Sequence, residues 1–227
     1  METASCGWAA ESVAVLRKDL LSELRSRQAL NAMVIFAVTT LAVVSFALGP
    51  HALTARAQSA LLWVILFFAA AASLSRPFLR EEEGRTSTAL RLSAVPAHVF
   101  AGKLAFNILL LLGLDALLVP LYLGVMQAPV GSPEVLLMVV LLGSLGLAAA
   151  CTIVAAIISR ATTPGALFGG LAFPLLLPLL LAAVGGTTKA FEGAAVAAAW
   201  PELRLLLSFT VVVVTASWML FEVIWDD

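Results

Sequence analysis

The sequence predicts an all-α, polytopic membrane protein with six transmembrane helices, on three observations. Hydrophobic residues make up 62% of the 227 residues and charged residues only 12%, against about 45–50% and roughly 25% in an ordinary soluble domain. The mean hydropathy is +1.05. Long uncharged stretches, each of about the ~20 residues that a bilayer core requires, separate the ionisable residues. So little polar surface cannot cover so much apolar surface in water, and lipid must solvate the remainder.

The chain begins with a charged lead-in, residues 1–28. Within residues 8–28, Val13, Leu16, Leu20 and Leu24 recur at three- to four-residue spacing, and Arg17, Lys18, Arg25 and Arg27 lie off that stripe. This is the pattern of an amphipathic helix lying on the inner membrane surface, with Trp8 at the interface. Acidic and basic residues precede the first apolar run and no A-x-A site follows it in the usual place, so a cleavable signal sequence is not expected. Residues 29–227 then form one six-helix domain. The spans are expected at residues 28–50, 57–75, 104–126 (interrupted only by Asp115), 135–159, within 161–188, and at 205–221. The runs are apolar on every face, and backbone groups in lipid must be satisfied within the segment, so the spans are helices.

Six spans place both termini on one side. With the N-terminus inside, Arg17, Lys18, Arg25, Arg27, Arg76, Arg80, Arg85, Arg91, Lys103 and Arg160 are inside, and Arg56, Lys189 and Arg204 are outside. Ten of the thirteen basic residues then share one side, which by the positive-inside rule makes that side cytoplasmic. The net charge of −1 gives no attraction to nucleic acid.

The longest polar stretch is residues 76–103, RPFLREEEGRTSTALRLSAVPAHVFAGK. Glu81, Glu82 and Glu83 precede Gly84. Thr86 or Ser87 can cap a short helix containing Leu90, which Pro96 stops, and Lys103 stands where the third span begins. Two readings remain open: a solvated cytoplasmic hairpin, and a docking element for a soluble partner. Consecutive carboxylates on a helix point in different directions, and no histidine stands at ligand spacing, so the triple glutamate does not read as a metal site. A second non-spanning segment, residues 188–202, is Ala-rich, with Phe191, Val196 and Trp200. It is expected to form a short helix at the outer surface, ending at Pro201.

Inside the spans, two features stand out. Asp115 lies in the middle of LLLLGLDALLVPLYL. A carboxylate at that depth costs at least ~2.5–3.5 kcal/mol on insertion scales, so it should face the bundle interior with a proton or a partner. It is either a functional group or packing glue between helices. Pro174 and Pro178 lie one turn apart in FPLLLPLLL. Each removes a backbone hydrogen bond, so the fifth helix is expected to kink or break between them and to line a cleft or subunit contact.

Other chemistries lack their residues. Cys6 and Cys151 are far apart and make no disulfide or metal framework. His51 and His98 read as ordinary polar residues near the interfaces, and no nucleophile–base pair is visible. Gly102-Lys103 resembles the end of a phosphate loop, but Ala97 and Leu104 break the required pattern. The chain is therefore not expected to be an enzyme, and any ATP hydrolysis must come from a partner.

Taken together, these motifs resemble the haem exporter protein B (CcmB-like) family over nearly the whole chain. The resemblance rests on the basic lead-in LRKDLLSELRSRQAL, the first span ending near Gly49-Pro50, Trp63, the acidic-Gly hairpin ending in Lys103, Pro120, the FPLLLPLLL run and the closing FEVIWDD. The hairpin is shared with the broader ABC-2 class of exporter permeases. RTSTAL after Gly84, and Pro96 standing alone, depart from the family's pattern.

The resemblance implies an ABC-2-type transmembrane domain in a bacterial cytoplasmic (inner) membrane. Glu81, Glu82, Glu83, Gly84, Leu90, Pro96 and Lys103 would couple it to a cytoplasmic ABC ATPase subunit. A haem-handling membrane subunit, a small membrane subunit and a second copy of the chain would stand beside it. No cofactor is expected on the chain itself; haem enters as cargo of the complex in cytochrome c biogenesis, by export or by release of a haem-loaded chaperone. The alternatives are a generic ABC-2 permease for a lipid, drug or polysaccharide, and a non-transporting membrane scaffold.

Overall fold

The computed structural model describes residues 4–48, 53–74, 95–158 and 164–226. Glu81, Glu82, Glu83, Gly84 and Leu90, with the short helix expected around them, lie outside the described residues. Among the described residues the chain is all α: α1 (Ala4–Ser26), α2 (Gln28–Leu48), α3 (Ala55–Ser73), α4 (Pro96–Met126), α5 (Pro133–Ile158), α6 (Pro164–Phe191) and α7 (Val196–Asp226). Each of α2 to α7 contains a stretch long and apolar enough to cross a bilayer.

Contacts between helix ends fix the alternation of the spans. At one end Lys103 of α4 meets Asp19 of α1, and Phe100 packs on Trp218 and Phe221 of α7. At the other end Tyr122 of α4 donates to the Gln58 carbonyl at the start of α3, at 2.7 Å. There Gly131 and Ser132, ahead of α5, donate to the Ala190 carbonyl of α6. The last turns of α5 and α7 therefore share an end with α1 and the start of α4, and six spans place both termini together. This shared end is called the hairpin end below, because residues 75–94 join α3 to α4 there.

Packing is centred on α5. It touches α3, α4, α6 and α7, and its middle is a run of small residues, Ala148, Ala149, Ala150, Cys151 and Thr152, all fully buried. In lipid, small residues let helix backbones approach closely. Two glycines make the closest approaches: a Cβ at Gly143 would overlap the ring of Trp63 on α3, and one at Gly146 would come within 2.6 Å of Leu179 on α6. Trp63 is held in place by its indole N–H, which donates to Thr187 of α6 at 2.9 Å.

Three sequence expectations change. The third span starts at Pro96 instead of 104, because proline at the first helical position suits a helix start; Val95 is its extended N-cap. Pro96 therefore opens a helix. The expected surface helix over 188–202 is absent: α6 runs to Phe191, a turn follows with Gly193 at a φ of +78°, and α7 runs on through Pro201. One hydrogen bond lost near the start of a 31-residue helix does not end it. Finally, α6 continues without a break through Pro174 and Pro178. Both prolines lie on its exposed face, while Leu176 and Leu179 between and beyond them are buried. The packed face keeps its contacts, and the prolines are accommodated on the side that needs none from the bundle.

Candidate functional site

The hairpin end is built around the first two turns of α4, which follow directly from the hairpin. Gly102 permits the contact with α1: a Cβ there would come within 2.7 Å of the Val15 side chain and 2.8 Å of the Ser12 carbonyl. One residue on, Lys103 is fully buried with its Nζ 3.6 Å from Asp19 of α1, whose other carboxylate oxygen is 3.2 Å from Lys18. Lys103 thus lies inside the helix, where the sequence reading had placed it at the start of a span. His98 bonds to Glu11, and Trp8 packs edge-on against His98 and beside Trp218. A separate apolar cluster, Val15, Val99, Phe100, Ala155, Ala156 and Phe221, closes the seam. Three helices therefore grip the start of α4: α1 by charge and close approach, and α5 and α7 by their last turns.

α1 is tied at its far end as well. Glu23, 4% exposed, accepts the Leu30 backbone N–H of α2 at 2.9 Å, which satisfies one of the orphan donors at that helix start. Arg27 turns the chain between the two helices with a φ of +52°.

A polar stripe runs from the seam into the bundle. Lys103, Asn107, Asp115 and Tyr122 are separated by four, eight and seven residues, so they share one side of α4, and all four are buried. Asn107 donates to Thr152 of α5 at 2.8 Å and reaches the Leu74 carbonyl at 3.4 Å. Asp115, 5% exposed, lies against Ser144 of α5, yet neither its oxygens nor that hydroxyl completes a hydrogen bond among the described residues. Sequence reading singled out Lys103 and Asp115 and missed Asn107 and Tyr122. Their helical spacing from Lys103 was the available signal. Pro174 and Pro178 lie on α6 and do not join either group.

With the described ends and seam in place, the molecule is a six-span helical membrane subunit in which α1, the start of α4 and the last turns of α5 and α7 meet at one end. A family model described as CcmB protein matches residues 10–221, and the chain belongs to that family. Neither a curated protein nor a solved structure matches it. Membership makes the chain a multi-pass inner-membrane permease subunit that serves cytochrome c maturation within an ABC transporter complex.

Proposed function

We propose that the chain is the transmembrane half of an ATP-driven haem-delivery machine, and that the α1–α4 seam passes the ATPase stroke into the membrane. The ATPase would dock on the hairpin, with Glu82, Glu83 and Gly84 at the contact. The stroke would serve haem export or release of a haem-loaded chaperone, with the haem-handling and small membrane subunits alongside. The observation that carries this reading is the grip on α4: the helix that follows residues 75–94 lies in close contact with α1, with Gly102 against Val15 and Ser12 and Lys103 paired with Asp19. The charge distribution supports a cytoplasmic hairpin end.

The test uses the complex with its ATPase. Gly102→Leu should force α1 off α4, leaving ATP hydrolysis in place while haem transfer to the chaperone falls to background. Equal loss of both, or loss of neither, overturns the coupling role. Glu82→Lys with Glu83→Lys should weaken ATPase co-purification, since like-charge mismatches at an interface are costly. Reporter cysteines at Ser87 and Glu192 check the orientation: Glu192→Cys should react with an impermeant maleimide in intact cells and Ser87→Cys should not.

A further inference from the structure

The lead-in is balanced in charge, with Glu2, Glu11, Asp19 and Glu23 against Arg17, Lys18, Arg25 and Arg27. The fold separates the two signs. Asp19 and Glu23 are buried, one beside Lys103 and the other on the Leu30 N–H, and Glu11 bonds His98. Arg17, Arg25 and Arg27 are exposed. At 3.6 residues per turn, α1 then has three faces roughly 120° apart. Ser12, Val15, Asp19 and Glu23 face the protein. Val13, Leu20 and Leu24 form an exposed apolar face. Lys18 and Arg25 form a basic one, with Arg17 at the border between the last two.

Next to the apolar face a cleft of about 260 Å³ opens between α1, α2 and α4. It is lined by Leu20 of α1, Leu30 and Met33 of α2, and Phe106, Leu110 and Gly113 of α4, and its lining is apolar throughout. From Phe106 to Leu117 it follows α4 for ~17 Å at 1.5 Å per residue, about half of a ~30 Å hydrocarbon core. That is the depth of one leaflet. Gly113 leaves it open, since a Cβ there would meet nothing within 4 Å. Of the residues that line it, Leu30 follows Arg27 by three residues and Leu20 follows Arg17 by three.

We propose that this cleft binds one anionic phospholipid of the leaflet on the hairpin side. An acyl chain lies along Phe106, Leu110 and Gly113, and the phosphate meets Arg17 and Arg27. A guanidinium pairs with phosphate through two parallel hydrogen bonds, and among the described residues the α1 acids Glu11, Asp19 and Glu23 are engaged elsewhere. A bound lipid would join α1, α2 and α4 at the point where the seam enters the membrane.

Native mass spectrometry of the complex purified with its ATPase tests this, with phosphatidylglycerol and phosphatidylcholine of matched chains added as probes. Wild type should retain one phosphatidylglycerol per chain in preference to phosphatidylcholine. Arg17→Gln with Arg27→Gln should weaken phosphatidylglycerol binding about thirtyfold and remove the preference. Gly113→Leu fills the cleft and should abolish retention of either lipid, while the thermal midpoint measured without added lipid stays at the wild-type value. Should Gly113→Leu not fold, Leu109→Trp, at the half-exposed edge of the cleft, must give the same loss. Equal retention of both lipids by wild type, or unchanged retention in the cleft-filling variant, overturns the proposal. So does a complex in which a second copy covers the cleft and no lipid is retained.

Discussion

α5 and α7 are both long apolar spans, yet they occupy opposite positions in the bundle. In its most apolar stretch α5 is 72% buried, and α7 is 22% buried. Apolarity does not separate them, because lipid solvates leucine as well as a protein interior does. Residue size does. α5 carries Gly143, Gly146 and a run from Ala148 to Thr152, which let α3, α6 and α7 come close. α7 turns Leu205, Leu207, Val211, Val212 and Met219 outward. In a membrane bundle, hydropathy decides that a segment spans, and side-chain volume decides whether it sits at the centre or the rim.

The substitution expected to break this contrast most severely is Gly143→Leu. Its side chain would occupy the place of the Trp63 ring, which Thr187 holds in position. Ordinary overpacking costs about 1–3 kcal/mol, and this overlap should exceed that range. We expect loss of the monodisperse peak in detergent size-exclusion chromatography, partly restored by adding Trp63→Ala.

Gly146→Val should be milder, within about 1–3 kcal/mol, because the nearest neighbour is the flexible tip of Leu179. A lowered thermal midpoint with assembly retained is the expected result. Thr187→Val sharpens the contrast from the α6 side. It keeps the volume and strands the Trp63 N–H, at about 1–3 kcal/mol for an unsatisfied buried donor, which a thermal melt should resolve. At the rim, Pro174→Ala with Pro178→Ala should leave complex assembly intact, since both prolines lie on the exposed face of α6. Smallest of all, Val212→Ala on α7 should stay within about 0.5 kcal/mol. A loss as large as that of Gly146→Val would show that α7 is packed against a partner there.

Much of the architecture was legible. The gap between Arg27 and His51 encloses α2, and those between Arg56 and Arg76 and between Glu134 and Arg160 hold all but the first two residues of α3 and α5, because a charge in hydrocarbon is costly enough to mark a boundary to within a turn. Of the α1 stripe, Val13, Leu20 and Leu24 lie on an exposed face, while Leu16 packs against the core. Lys103 shows where this reasoning fails. Treated as a boundary, it moved the start of α4 to 104, but Asp19 receives it inside the fold, and a paired charge no longer marks the water interface. Pro201 failed for a related reason. A proline reads as a stop in local sequence, whereas a long packed helix absorbs one missing bond.

The sequence by itself determined the number of spans, the shared side of the termini and the amphipathic character of α1. Each follows from the cost of placing charge or unpaired backbone in hydrocarbon, which depends on local composition alone. Only the tertiary structure decided which span is central, which carboxylates of α1 are buried, and that Asn107, Asp115 and Tyr122 extend a polar stripe down from Lys103. Those outcomes depend on which surfaces meet. A glycine at 143 matters because Trp63 lies opposite it, and Asp19 can be buried because Lys103, 84 residues further along the chain, is brought to its side.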